Sequence, residues 1–455
     1  MSGFLDRFVA DRAGAGPVVQ PRMGFGTVST MRSGLARIAA LDYPVVGTLT
    51  LDSYTRVGDY TTPLQRLAAG EELNGYPIVS HPVERTAALL AGLYGPAFPV
   101  QVRHGTALPL GVFRRLVELG LDATEGGPVS YCLPYSRVPL RQAVRAWAVS
   151  CRFLADHTER GHIESFGGCL LGQLCPPSLL VAMGVLEGCF FRQHGLRHMS
   201  FSYAQGTSAA QDRGALRALR TLAATYLGDV TWHVVLYTYM GLFPRTPDGA
   251  ELLIRDSARL ARDARCERLI VKTVSEAWQI PSIAENVAAL RLAAAEIGRP
   301  SPAEDTGTGR DCSGRDCSGR DYPGDDYPGD GSSGGGYPGD NCSDDDYFEE
   351  ILDEARTLVD AVLDLAPDIG DALVAAFASG LLDVPYCLHA DNAGAATCVI
   401  DDRGALRWGA LGRLPLSRAT AADASARLGS DRLYAMLEHV ANRYDSRLIP
   451  PRGNP

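Results

Sequence analysis

Glu267-Arg268-Leu269-Ile270-Val271-Lys272-Thr273 is a short run of strand-forming residues with charge near both ends. Its centre does not alternate apolar with polar, which is the pattern of a strand covered on both faces, as in a parallel sheet. The segment before it, Ala250–Ala264, reads as an amphipathic helix. The same pairing recurs towards the N-terminus. Strand-like runs lie at Pro17–Arg22, Val45–Asp52, Pro99–His104, Ala123–Tyr131, His162–Gly167, His198–Ala204 and Trp232–Tyr239. Helical stretches such as Leu108–Leu119, Leu140–Leu154 and Ala209–Tyr226 separate them, and Ser282–Ile297 follows the last strand. In Ala209–Tyr226 the residues Leu216, Leu219 and Leu222 share a face, with Arg217 and Arg220 between them. Eight such alternations over roughly 280 residues are the number needed for a (β/α)8 TIM barrel. A doubly wound open sheet shares the alternation and differs in closure.

Beyond residue 300 the pattern stops. Residues 301–346 repeat Arg-Asp-Cys-Ser-Gly at 310–314 and 315–319, then Tyr-Pro-Gly-Asp from Tyr322, Tyr327 and Tyr337. Such a segment buries too little apolar surface to offset its ordering entropy, so a disordered acidic insertion is expected there. Within it, Gly329–Gly334 fits a dinucleotide-loop pattern, but no strand precedes it and no helix follows. Residues 347–455 read as a small α+β region packed on the barrel. Helices are expected at Phe348–Leu365, Asp368–Ala378 and Asp431–Ala441, with a hairpin at Ala396–Leu406 turning at Asp402-Arg403-Gly404. The expected division is thus a barrel in 1–300 holding the site, the insertion in 301–346 and the α+β region in 347–455.

Charge excludes several roles. The net charge is −10, and the insertion, with 11 Asp, 1 Glu and 3 Arg, holds −9 of it. The near-neutral remainder has no basic surplus to favour nucleic acid. The start, Met1–Arg7, lacks the apolar stretch of a signal peptide. Cys169–Phe191 has the length of a membrane span, but Gln173, Pro176-Pro177 and Glu187 interrupt it, so a turn and a buried helix are expected. The 11 cysteines include no Cys-x-x-Cys pair, so no metal centre is expected and most read as reduced, packed thiols in a cytoplasmic protein.

In a barrel, chemistry sits where strands end. Arg22 closes the first strand, Arg56 follows the second and Arg103-His104 closes the third. Glu125 lies in the fourth, with Tyr131 and Tyr135 after it. Guanidinium forks bind carboxylates bidentately, so three of them imply a ligand with two carboxylates, or a phosphate. Glu125 among them suits an amine. His104 is suited to acid–base work near pH 7, or to simple donation. Lys272 closes the eighth strand and is the single lysine among 43 basic residues. A lysine kept where arginine is the rule suits a point contact to a ligand hydroxyl or a Schiff base. Glu276 opens the helix beyond it.

Several ordered motifs resemble one family. They are Gln20-Pro21-Arg22-Met23-Gly24, Asp52-Ser53-Tyr54-Thr55-Arg56, Leu73-Asn74-Gly75-Tyr76-Pro77, Arg103-His104-Gly105-Thr106, and Glu125-Gly126-Gly127 with Tyr131 and Pro134-Tyr135. Met240-Gly241-Leu242-Phe243-Pro244 and Val271-Lys272-Thr273 through Glu276 and Ile280-Pro281 continue the series, and Asp383-Val384-Pro385 and Asn392-Ala393-Gly394 complete it. Together they resemble the large (epsilon) subunit of glutamate mutase, or methylaspartate mutase, over roughly 15–300 and 348–455. The resemblance implies a (β/α)8 barrel that uses adenosylcobalamin to interconvert L-glutamate and 3-methylaspartate by a radical mechanism. It implies that Arg22, Arg56 and Arg103 hold the two substrate carboxylates, that Glu125 meets the amine, and that His104, Tyr131 and Tyr135 complete the substrate shell. Gly24, Asn74, Pro134, Phe243, Lys272, Glu276 and Ile280 would face the cofactor, with Glu125, Lys272 and Glu276 in catalytic roles. The partner implied is a separate small cobalamin-binding (sigma) subunit, with a homodimer of large subunits inside a heterotetramer. The lower-ligand pattern Asp-x-His-x-x-Gly is not met by Asp156-His157-Thr158-Glu159-Arg160-Gly161. The chain departs from the family in Tyr237, where the family carries a histidine, in the acidic insertion, and in an expected lack of an N-terminal helical extension that bears on dimerisation. Competing readings are a mutase for another amino diacid and a binding subunit that kept the fold.

Overall fold

The computed structural model describes residues 3–299, 344–417 and 429–446. Eight parallel strands run in sequence around one sheet: β1 (Val18–Pro21), β2 (Gly47–Thr50), β3 (Val100–Arg103), β4 (Ala123–Gly126), β5 (His162–Ser165), β6 (His198–Ala204), β7 (Thr231–Tyr237) and β8 (Arg268–Val271). From β2 to β8 each strand pairs with the next, and β1 pairs with β8. Closure between β1 and β2 comes from a parallel bridge, Val19 to Val45, in which the Val46 amide donates to the Val19 carbonyl at 3.1 Å. The sheet is therefore a (β/α)8 barrel and not an open doubly wound sheet, a choice made by the first strand's ladder to β8 and its bridge beside β2.

The expected fourth strand, Ala123–Tyr131, ends early. At Gly126 φ is +129°, a backbone that a side chain opposes, and the chain turns so that the Tyr131 amide donates to the Gly127 carbonyl at 3.2 Å. A helix that the sequence pattern does not announce, Phe4–Ala10, precedes β1 and covers the N-terminal end of the barrel. Its Leu5, Phe8 and Val9 pack on Val18, Val46 and Ala123. Asp6 on the same helix accepts from His162 Nδ1 at 2.8 Å. Asp6, His162 and His233 lie within metal-binding distance of one another. Three of their four ring nitrogens are already engaged, however: besides the bond to Asp6, His162 Nε2 meets Ser200 at 2.9 Å, and His233 Nε2 accepts from Arg268 Nε at 2.8 Å. A guanidinium there opposes a cation, so the group serves as an internal hydrogen-bond network.

The segment long enough for a membrane becomes two short turns and the helix Pro177–Gln193, with Pro at its first position. Every residue from Pro177 to Phe191 is buried. It is buried all round because the barrel lies on one side and the helices Ala209–Tyr226 and Asp344–Leu363 on the others. Among the described residues no helix is long and apolar enough to cross a membrane.

The expected disordered insertion, 301–346, lies outside the described residues except for its last three. Asp344, Asp345 and Asp346 form the first turn of the helix Asp344–Leu363, so that helix begins before the expected Phe348. Arg213 donates to both Asp344 oxygens at 2.5 and 2.8 Å, and Arg217 reaches Asp345 at 2.5 Å. Carboxylates suit a helix start, and the barrel's arginines fix these ones. Further on, the helix Ile369–Ser379 packs on Leu140–His157, and Ser430–Ser446 packs on Pro247–Asp263. Strands β9 (Thr397–Ile400) and β10 (Leu406–Ala410) form the expected hairpin, which turns through Gly404 at φ +81°. Glu354 ties this region inward by accepting from Ser178 Oγ at 2.5 Å and Trp408 Nε1 at 3.1 Å.

Candidate active site

The strands are parallel, so their C-terminal ends meet at one mouth, where a cavity of about 1010 Å³ opens. Arg22, Arg56, Arg103, His104, Glu125, Tyr131, Pro134 and Tyr135 all line it. Seven of the eight were expected as substrate contacts and Pro134 as a cofactor contact. Arg103 is buried, and its Nε donates to Glu125 Oε2 at 2.6 Å. Tyr131 donates to the other oxygen, Glu125 Oε1. Arg56 Nε and Nη2 donate to the Leu51 carbonyl at 3.2 and 3.0 Å. That guanidinium sits below its ordinary pKa, through burial first and through Arg22 and Arg103 nearby. The three arginines thus repel one another around one space, which an anion would relieve.

Two buried donors point to a ligand. Arg103 Nη1 and His104 Nε2 meet no hydrogen-bond partner among the described residues. His104 accepts from the Thr106 amide through Nδ1 at 3.2 Å, which leaves the proton on Nε2. Burial, with Arg56 second, holds the imidazole down to about 3. Of the two roles open to His104 from sequence, the structure therefore favours neutral donation over acid–base work near pH 7.

Lys272, Glu276 and Phe243 form a second cluster beside Arg22. Lys272 Nζ lies 3.3 Å from Glu276 Oε1 and 4.9 Å from the Phe243 ring centre, and Arg22 Nη1 lies 3.4 Å from the same Glu276 oxygen. Burial lowers the Lys272 pKa from 10.5 to about 8, against the pull of Glu276. Glu276 lies in a single 3-10 turn, Val274–Ala277, and not in the following α-helix as expected, because that helix begins at Ile283 with Ser282 as its cap. Of the remaining expected cofactor contacts, Ile280 is 60% exposed. Asn74 accepts from the Ser53 amide at 3.0 Å and so ties down the turn that carries Arg56. Gly24 has a structural demand of its own, since a Cβ there would lie 2.3 Å from the Thr50 carbonyl oxygen.

Sequence reasoning misses the support beneath the mouth. Glu164, in mid-β5, is fully buried and pairs with Arg268, equally buried, in β8. Tyr237 bonds both Glu164 and Glu125, which joins that pair to the site. A glutamate inside a strand covered on both faces demands a partner, and that was the available signal. Glu187 accepts from the Val129 and Ser130 amides and from the Ser130 and Ser165 hydroxyls, and so pins the turn that delivers Tyr131. From the far side, Asp391 accepts from the Leu140 amide at 2.7 Å and His389 Nε2 meets the Val138 carbonyl at 3.0 Å. Asp383 shapes that C-terminal loop by accepting from three successive amides, Gly394 to Ala396.

Fold and site together define a (β/α)8-barrel protein whose mouth gathers three arginines, a buried glutamate and tyrosines around one cavity. The chain belongs to the methylaspartate mutase E chain (MutE) family, whose model matches residues 4–298 and 343–433. A glutamate mutase epsilon subunit of Haloarcula marismortui is 32% identical over 404 residues, which are 86% of this chain and 75% of that relative. One from Escherichia coli O157:H7 is 29% identical, over 81% of this chain and 72% of its own. One from Halobacterium salinarum is 31% identical, over 89% and 81%.

Proposed function

We propose that this chain is the catalytic subunit of an adenosylcobalamin-dependent mutase that interconverts L-glutamate and 3-methylaspartate. The observation that carries the reading is the donor set at the mouth: three arginines around one cavity, with Arg103 Nη1 buried beside Glu125 and without a partner among the described residues. Two carboxylates and one amine are the ligand groups that three guanidiniums and one carboxylate complement. In this reading Arg22, Arg56 and Arg103 bind and orient the carboxylates, His104 donates a neutral hydrogen bond and Glu125 takes the ammonium.

The mouth also suits a cofactor far larger than the substrate. Its cavity is at the upper end of small-molecule sites, and Val57, Leu108, Leu242, Trp278 and Ile280 stand 41 to 78% exposed in the loops after its strands. Gly24, Asn74, Pro134, Phe243, Lys272, Glu276 and Ile280 would face the cofactor, with Lys272 and Glu276 near its ribose. Adenosylcobalamin, when bound, supplies the carbon-centred radical that takes a hydrogen from the substrate. The chain's part is to orient the substrate and to exclude water from the barrel mouth. The relatives are each named as one subunit of a glutamate mutase, which supports an enzyme of more than one subunit; in this reading the partner is a separate small cobalamin-binding (sigma) subunit, with a homodimer of the large subunit inside a heterotetramer.

The test is coexpression with a small cobalamin-binding protein, followed by addition of adenosylcobalamin and L-glutamate and an NMR assay for 3-methylaspartate. Product is expected from the complex alone. Full turnover by the isolated chain would refute the two-subunit claim, and a cofactor-loaded complex that forms no methylaspartate would refute the substrate.

A further inference from the structure

We propose that Tyr237 is a positioning residue that makes the Glu125 side of the mouth selective for ligands carrying an ammonium group; this deepens the amino-dicarboxylate reading above and rests on it. Tyr237 closes β7 and is fully buried. Its hydroxyl lies 2.8 Å from Glu125 Oε2 and is also in hydrogen-bond contact with Glu164 Oε1. The ring cannot swing clear of either, because the Arg103 guanidinium lies 5.1 Å from its centre and the Phe166 ring meets it edge-on at 5.6 Å.

A phenol has one proton to give. Burial drives the Tyr237 pKa well up, so the hydroxyl stays protonated. Burial also pushes Glu164 up, but Arg268 and the hydrogen bonds from Tyr237 and Gln101 bring it net below the usual carboxylate range, so it remains an acceptor. The hydroxyl can therefore serve one carboxylate and must turn a lone pair to the other. Glu164 draws further donors from Arg268, from Gln101 at 3.1 Å and from Ser200 at 3.2 Å. Glu125 draws on Arg103 and Tyr131. With the phenol proton on Glu164 each of the four carboxylate oxygens has a donor, but the phenol then turns a lone pair towards Glu125 Oε2 at 2.8 Å.

An ammonium on Glu125 relieves that contact. Its positive charge offsets the negative oxygen that faces the phenol lone pair, while the phenol proton stays on Glu164. A dicarboxylate of the same length without the amine leaves that lone-pair contact unrelieved. The phenol thus converts the presence of one amine into a difference in affinity, as buried polar groups do when a ligand fails to pair them.

The experiment measures binding of L-glutamate and of glutarate to the full chain by calorimetry, in wild type, Tyr237→Phe and Tyr237→His. Wild type is expected to favour glutamate. Tyr237→Phe is expected to lower the glutamate-to-glutarate affinity ratio by roughly tenfold to a hundredfold, the range for one charge-assisted hydrogen bond. Glutarate binding by the variant reports that the arginines remain in place. Tyr237→His keeps a hydrogen-bonding group and is expected to retain more of the ratio; should the Phe variant bind neither ligand, the His variant decides. A wild-type ratio in Tyr237→Phe overturns the proposal, as does a Tyr237→His chain that binds glutarate normally and discriminates no better than Phe. A wild type that does not favour glutamate removes the amino-dicarboxylate reading and this inference with it.

Discussion

Lys272 offers the sharpest measurement, because it is the only lysine in the chain. Protein labelled with 13C and 15N lysine carries one labelled side chain, and its titration can be followed by NMR without assignment. Burial holds the ammonium down from 10.5 to about 8. At 1.36 kcal/mol per tenfold change, that is about 3 kcal/mol set against the charged form. The side chain is 5% exposed, so solvent does little to screen it. The expected midpoint is near 8, with roughly 90% of the side chain charged at pH 7 and roughly 10% at pH 9. The neighbours set the sign of two variants. Glu276 supports the charge, so Glu276→Gln should lower the midpoint further, and Arg22 opposes it, so Arg22→Gln should raise it. Between pH 8 and 10.5 the unfolded chain holds the proton and the folded chain does not, so this group makes folding stability rise with pH in that window. A wild-type midpoint above 10, or a Glu276→Gln midpoint that moves up, would refute the reasoning.

Two further outcomes are expected. Glu187 is fully buried and raised from 4.5 to about 7, chiefly by burial; its contribution is present below pH 4.5 and lost as pH rises through 7, so Glu187→Gln, which still accepts from two amides and donates to two hydroxyls, should be more stable than wild type at pH 8 by up to about 3 kcal/mol, and a melting temperature that falls equally from pH 5 to 8 in both proteins would contradict this. Arg56→Ala should weaken binding of the amino dicarboxylate by about 1.5–3 kcal/mol, the value of a charge-assisted pair, and an unchanged Michaelis constant would remove Arg56 from the substrate site.

Much of the mouth is legible in the sequence, because strand polarity does the placing. In a parallel sheet every strand ends on the same side, so Arg22, Arg56 and Arg103, each at or just past a strand end, had to converge. The same logic put Lys272 beside Glu276, four residues on. The extent of β4 is harder to read, since Gly126, Gly127 and Pro128 allow either a continued strand or a turn. What settles it is Glu187 from a distant helix: a Cβ at Gly127 would lie 2.0 Å from its carboxyl carbon, so the turn and the glutamate require each other.

The sequence by itself determined the strand–helix alternation, the side on which the site lies and the charge the site offers. These depend on local periodicity and on chain direction, both of which a linear string contains. Only the tertiary structure decided that the sheet closes, through Val19 and Val45, and that the acidic run ends in a helix held by Arg213 and Arg217. Only it brought Tyr237 to Glu125 and Glu164, residues 112 and 73 positions away. The reason is physical. Periodicity says which side chains enter a core, but the partner each one meets is set by how the strands stagger when the barrel closes, and a buried carboxylate is defined by that partner.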